Sequence, residues 1–281
     1  MDATGVVGPG RVAVVTGGAS GIGRALAQAL AREGSAVVVA DLDADGAVRA
    51  ASAIRLDGGE AEAVTVDVAD AGSVDALAAR AVERYGHVDL LCNNAGVSTF
   101  NLIEDQTLDD WRWVFSVNLW GVVHGVHSFL PILRRQGTPA HIVNTASIAG
   151  ILSGVMFIGP YAATKSAVVS ISETLRQELA FAQLPIGVSV LCPSSVDTRV
   201  MESERGRPDA FGREERTPAA EGFRVAIRDS FTGPTGLTPA AVAERVLDAV
   251  RTGRFWVITR PEEKASVEQR CAEMLSEFPV P

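Results

Sequence analysis

Arg11-Val-Ala-Val-Val-Thr16-Gly17-Gly-Ala-Ser20-Gly21-Ile22-Gly23 is the stretch that decides the fold. Its first six residues are a short β-branched run, which reads as a buried strand. Four glycines, Gly17, Gly18, Gly21 and Gly23, follow at once, and a helical pattern then covers residues 24–33. Strand, glycine turn and helix together make the context of a phosphate-binding loop. Glycine permits positive φ and lets backbone N–H groups reach an anion with no Cβ in the way. The helix behind the turn adds its positive N-terminal end.

Outward from this turn, a second strand over residues 36–40 ends at Asp41, 24 residues after Gly17. A carboxylate there accepts hydrogen bonds from both ribose hydroxyls of an adenosine and repels a 2′-phosphate. Leu42 follows it rather than Arg, and Ser20 stands where a basic residue would bind that phosphate. Both choices favour NAD over NADP. The structural alternative for Asp41 is a helix N-cap.

Helices and strands then alternate. Helices are expected over 43–57, 73–85, 108–136, 161–183 and 239–251, and strands over 61–66, 88–92, 141–146, 186–191 and 254–259. Seven strands in regular alternation with helices imply an α/β fold with a doubly wound parallel sheet, right-handed crossovers and helices on both faces. Ligands of such sheets sit beyond the carboxyl ends of the strands. Asp67, Val68 and the run Asn93-Asn94-Ala95-Gly96 fall at such ends. Between 199 and 237 the pattern dissolves into Gly, Pro, Arg and Glu with isolated Phe211, Phe223 and Phe231. A segment this long is a lid or binding segment, often with short helices of its own. We take 194–237 as that lid, 262–281 as a polar, helical tail, and 1–281 as one domain.

With 281 residues and 47% hydrophobic content, the chain can bury a large core. Its net charge of −9 excludes a nucleic-acid partner, because no basic patch offsets the acid. Cys92, Cys192 and Cys271 form no CxxC pair, which suits a reducing, cytoplasmic setting. No secretory signal is expected. The apolar segment 114–133 carries Ser116, Asn118, His124, His127 and Pro131, too many polar groups for a bilayer span. His124 and His127 have a spacing that metals use, but no third ligand stands near, so no metal is expected. His87 and His141 read as strand-edge residues.

Tyr161-Ala-Ala-Thr-Lys165 carries the chemistry. Positions four apart share a helix face, so the phenol and the ammonium point the same way. A free tyrosine titrates near pH ~10. A close cation favours the phenolate, and the pair then passes a proton to or from an alcohol oxygen.

These motifs, in this order, resemble the classical short-chain dehydrogenase/reductase family over about residues 11–259. Thr16-Gly17-x-x-x-Gly21-x-Gly23 is similar to its cofactor turn, and Asn93-Asn94-Ala95-Gly96 to its motif after the fourth strand. Asn118, Ser147, Tyr161 and Lys165 match its catalytic tetrad, and Pro193, Val196 and Thr198 lie in its nicotinamide-facing segment. Two departures stand out. Ser147 and Tyr161 are fourteen apart where the family usually has thirteen, and Ser194 replaces the usual Gly. The resemblance implies a Rossmann-type fold and hydride transfer at the nicotinamide of NAD. It implies Tyr161 as acid/base, Lys165 lowering its pKa and holding the nicotinamide ribose, Ser147 binding the substrate oxygen, and Asn118 holding a water. It also implies a homodimer or homotetramer paired through residues 108–136 and 161–183.

Val97, Phe100, Leu152, Val155 and Met156, with the lid phenylalanines, are expected to line an apolar pocket. That composition suits a secondary alcohol or ketone on a bulky body of aryl, steroid or terpenoid type. A 3-oxoacyl thioester is an alternative that Asp41 disfavours; a non-catalytic NAD(H)-binding regulator and a redox-neutral isomerase, dehydratase or epimerase are others. The lid arginines 199, 205, 207, 213 and 216 alternate with glutamates and read as a solvated surface.

Overall fold

The computed structural model describes residues 5–232 and 236–279. Residues 233–235 of the expected lid, 1–4, and the last two of the expected tail lie outside the described residues. The first half runs β1 (Val12–Thr16), α1 (Gly21–Arg32), β2 (Ala36–Asp41), α2 (Ala44–Leu56), β3 (Ala61–Thr65), α3 (Ala71–Tyr85) and β4 (Leu90–Asn93). Then come α4 (Leu108–Phe115), a π turn (Ser116–Trp120), α5 (Gly121–Gln136), β5 (Ala140–Thr145), α6 (Ile148–Leu152), α7 (Gly159–Phe181) and β6 (Ile186–Cys192). Short 3₁₀ turns at Arg199–Gly206 and Asp209–Phe211 lead into α8 (Pro218–Thr232), α9 (Pro239–Thr252), β7 (Trp256–Ile258) and α10 (Lys264–Ser276).

The seven strands form one parallel sheet in the order β3-β2-β1-β4-β5-β6-β7. This is the Rossmann-type doubly wound architecture. The order reverses between β1 and β4, and a crevice opens there beyond the strand ends. β1 explains its own sequence. Ala13 and Val15 face one apolar layer with α1, α2 and α9, while Val14 faces the other with α3, α5 and α7. Burial on both faces requires an unbroken apolar run rather than an alternating one. Each valine so buried contributes roughly 1.5–3 kcal/mol.

Two expectations are corrected here. The single helix over 108–136 is α4 and α5 joined by a π turn, and Asn118 sits in that turn. A residue inserted into a helix makes such a bulge, often beside a functional site, and the apolar periodicity on either side conceals it. His141 is not at a strand edge. It is fully buried in β5, between β4 and β6, with Nε2 paired to Ser189 Oγ at 2.8 Å. Burial pushes its pKa down to about 4, so it stays neutral.

Candidate active site

The turn after β1 is packed so tightly that its glycines are steric necessities. Gly17 has φ +65°, and a Cβ there would lie 2.9 Å from Ala95 Cα. Gly21 has φ +53° and would meet the Thr198 side chain at 3.2 Å. A Cβ on Gly23 would collide with the Gly17 carbonyl and the Asn94 amide. Asn94 fixes the other side of the turn: Nδ2 donates to Thr16 O (3.1 Å), and its backbone N–H donates to Thr16 Oγ1 (3.0 Å). The N–H of Ala95 shares that hydroxyl at 3.2 Å. The result is a backbone cradle at the start of α1, where dipole and N–H groups favour an anion.

Asp41 closes β2 at the lip of the same crevice. Its Oδ2 accepts from Ala19 N and its Oδ1 from Asp43 N, both at 2.9 Å. The N-cap of α2 is Asp43, which accepts from Gly46 N at 2.9 Å, so Asp41 is not spent on capping that helix. Asp67 accepts from Ala69 N at 2.9 Å, and the Val68 carbonyl pairs with His124 Nδ1 at 2.9 Å. That bond gives His124 a positioning role against the crevice.

Ser147, Tyr161 and Lys165 meet where β5 ends. Ser147 caps α6 by accepting from Ala149 N at 3.2 Å. Tyr161 lies on the first turn of α7, and Lys165 follows one turn on. The Lys165 ammonium is 5.5 Å from the Tyr161 ring centre and donates to Thr145 O at 2.8 Å. Burial pushes Lys165 down to about 8. Burial also pushes the Tyr161 phenol above its ordinary value, against the pull of its hydrogen bond with Ser147. Desolvation therefore dominates at both groups: it leaves the Tyr161 phenol less acidic than helical spacing alone implies and makes the Lys165 ammonium more acidic.

Asn118 is fully buried, and both ends of its amide are engaged. Oδ1 accepts from Val97 N at 2.8 Å; Nδ2 donates to Val97 O at 2.9 Å and Thr164 Oγ1 at 3.2 Å. Its side chain thus fixes the loop after β4. Pro193, Val196 and Thr198 line the crevice opposite. Ser194 does not need glycine's freedom, since its φ is not positive. Its hydroxyl instead binds Glu263 at 2.5 Å, tying the segment before α10 to the site.

Gly17, Gly21, Asp41, Asp67, Val68, Asn94, Ala95, Ser147, Tyr161, Lys165, Pro193, Val196 and Thr198 line one cavity of about 1430 Å³, while Asn118 and the tightly packed Gly23 do not. That exceeds the roughly 300–1,000 Å³ of a drug-sized pocket, so it has room for a dinucleotide and a second molecule together. Val97, Phe100 and Val155 line its far end with Phe211, Phe223 and Phe231. Leu152 and Met156 do not. Met156 points outward, 66% exposed, into a separate shallow cleft that also takes in Leu102 and Ile103. Ser153 (φ 56°), Gly154 (φ 65°) and Phe157 (φ 66°) turn the lengthened loop left-handed, which places Ile158 at the cavity wall instead. Trp113 and Met201 also line the cavity. Sequence reading missed Trp113 because it sits on the apolar face of α4, where a core residue looks the same.

The lid is only in part the solvated surface its charge pattern implies: Arg213, like Glu202, Glu204 and Glu215, is exposed, but Arg207 and Arg216 are drawn inward. Arg207 binds Asp110 at 2.5 Å with both side chains under 5% exposed, and its guanidinium lies 5.1 Å from the Trp113 ring centre. Arg216 binds Glu214 at 2.7 Å, and Glu214 is buried. Arg199 and Arg205 remain exposed at the cavity wall. The three cysteines are free, and among the described residues no group of His, Cys, Asp and Glu forms a metal cluster.

A family model described as short chain dehydrogenase matches residues 11–209. The chain belongs to the short-chain dehydrogenase/reductase family of oxidoreductases. It is 33% identical over 260 residues to the C alpha-dehydrogenase of Sphingobium sp., covering 92% of this chain and 83% of that protein. It is 36% identical over 252 residues to the 1-deoxy-11-beta-hydroxypentalenate dehydrogenase of Streptomyces avermitilis, covering 89% of this chain and 84% of that one. A short-chain dehydrogenase/reductase from Burkholderia phymatum, solved in complex with NAD, is 39% identical and aligns with a TM-score of 0.92 over 97% of each chain.

Proposed function

We propose that this protein is an NAD-dependent oxidoreductase interconverting a secondary alcohol and a ketone on a bulky, mainly apolar body of aryl, steroid or terpenoid type. One observation carries the reading: a single cavity joins the glycine cradle, Asp41, the Ser147–Tyr161–Lys165 cluster and an aromatic far wall. Both relatives named above are dehydrogenases, one of them of a hydroxypentalenate, and the Burkholderia relative was solved with NAD, which supports the reading.

The cradle fits a pyrophosphate because Gly17, Gly21 and Gly23 leave no Cβ against it. Asp41 would hold the adenosine ribose, while Asp67, Val68, Ile22 and Ser20 line its surroundings. Asn94, Ala95, Gly96, Pro193, Val196 and Thr198 would flank the nicotinamide half. When bound, the oxidised nicotinamide supplies the hydride acceptor and a positive charge at this wall. In alcohol oxidation Tyr161, as phenolate, takes the hydroxyl proton, and Ser147 hydrogen-bonds the same oxygen and stabilises its developing charge. Lys165 holds the nicotinamide ribose and lends positive charge to the phenol. In ketone reduction the phenol returns the proton.

A panel of racemic secondary alcohols, assayed with NAD and NADP by absorbance, tests the reading. Bulky apolar alcohols should be oxidised with NAD, and Asp41→Ala should narrow the NAD preference by about tenfold or more, since one charge repelling a phosphate is worth over 1 kcal/mol. Higher kcat/KM with NADP in the wild type contradicts the role of Asp41. NADH binding without turnover of any alcohol favours the regulator.

Pairing through α5 and α7 into a dimer or tetramer belongs to the same proposal; Trp120, half exposed beside α5, suits such a face. Light scattering decides it. The cytoplasmic setting rests on the free cysteines alone. No helix among the described residues is long and apolar enough to cross a membrane.

A further inference from the structure

We propose that Asn101 is a positioning residue that locks the lid, the loop after β4 and the loop leading to Tyr161 into one closed substrate wall. The inference rests on the enzymatic reading above for its link to selectivity, and on geometry alone for the coupling. Asn101 is 1% exposed. Its backbone N–H donates to Phe157 O at 2.9 Å, and it forms an isolated parallel bridge with Ile158. Its side chain reaches the lid: Nδ2 donates to Glu215 O at 2.7 Å, and Oδ1 accepts from Thr217 N at 3.1 Å. Its carbonyl accepts from Gln106 Nε2 at 3.2 Å, and Gln106 in turn binds Thr99 Oγ1 at 2.9 Å. One residue of the loop after β4 therefore satisfies backbone groups of two other chain segments, at Phe157 and at Glu215 and Thr217, far from it and from each other in sequence.

Each segment carries a cavity-lining side chain close to that contact: Phe100, Ile158, and Phe211 with Phe223. Neighbouring contacts run the same way. The Phe100 N–H donates to the Glu214 carboxylate of the lid, and Ser98 N donates to Ser203 Oγ at 3.1 Å. Phe157 stacks on Phe223 of α8 with ring centres 5.0 Å apart. Phe157 also holds φ +66°, a strained conformation for a non-glycine residue, which persists only where the surroundings over-determine it. The Asn101 N–H on its carbonyl is one of those restraints. A bulky substrate leans on Phe100, Ile158 and the lid at once, so their relative placement sets its fit. A small carbinol reaches Tyr161 and Ser147 without touching the lid.

The test is Asn101→Ala, compared with wild type on a bulky apolar secondary alcohol, on 2-butanol, and by limited trypsin digestion. Loss of the buried amide should speed cleavage at the lid arginines by about tenfold or more, because it raises the open population. The kcat/KM for the bulky alcohol should fall by about tenfold or more through KM, while that for 2-butanol changes by less than about threefold and the NADH dissociation constant by less than about twofold. Glu214→Gln, which leaves Asn101 in place and weakens the hold on Phe100, should move the readouts in the same direction and serves if Asn101→Ala does not fold. Equal losses on both alcohols overturn the selectivity role, and lid cleavage at the wild-type rate overturns the coupling. A wild type that oxidises no alcohol overturns the enzymatic reading instead, while the digestion still reads the coupling.

Discussion

Tyr161→Phe should bind NADH within about twofold of wild type and lose turnover by about 10²–10⁴-fold, the range a positioned acid/base supplies. The substitution removes one oxygen from the cavity wall and leaves the ring, α7 and the glycine cradle in place. Ser147 can still hold the substrate oxygen, but the proton has no acceptor. The pH profile gives a second reading of the same change. Burial holds the phenol above its ordinary value in the cofactor-free protein, with Ser147 opposing. Oxidation needs the phenolate, so the wild-type oxidation rate should rise with pH through the neutral and alkaline range, and ketone reduction should fall. Residual activity in Tyr161→Phe should lose that limb. Turnover near the wild-type value would remove Tyr161 from the mechanism.

Lys165→Met should reduce kcat by about 10²-fold or more without lowering the melting temperature. The usual expectation for a buried charged residue is the reverse. Lys165 is 3% exposed, and burial pushes its pKa from 10.5 to about 8. A lysine whose folded pKa is depressed costs the folded state below that pKa. Between about pH 8 and 10.5 the unfolded chain binds more protons, so stability rises with pH across that window. At neutral pH the full cost applies, on the order of 3 kcal/mol. Methionine removes that cost and orphans the Thr145 carbonyl, which returns about 1–3 kcal/mol. The balance leaves stability unchanged or raised, measurable by thermal denaturation at pH 7. A clear drop in melting temperature would mean the ammonium holds the fold together, not the chemistry.

The sheet was legible because β1 is buried on both faces and because the glycine turn leaves little alternative. Local periodicity put Tyr161 and Lys165 on one helix face, but their meeting with Ser147 was legible only through the family resemblance. What the sequence hid lies where a backbone leaves its period. The π turn at Asn118 adds a residue to a helix whose apolar stripe continues on both sides. The left-handed Ser153 and Phe157 swing Met156 outward and Ile158 inward, and neither residue type announces positive φ. The lid's arginines and glutamates alternate like a solvated surface, yet Arg207 and Glu214 find buried partners more than 90 residues away. Long-range pairing of that kind leaves no local signal. Asn101 was passed over because a lone polar residue in a loop has many ordinary uses.

The central claim is that the Tyr161 hydroxyl and the reactive face of a bound nicotinamide share one space. A crystal structure of the complex with NAD and a slow alcohol measures it directly. The account predicts the alcohol oxygen within hydrogen-bond reach, about 3 Å, of both Tyr161 and Ser147, with its carbinol carbon facing the nicotinamide ring. A phenol turned away from that ring, or cut off from it by the loop of residues 153–158, would contradict it.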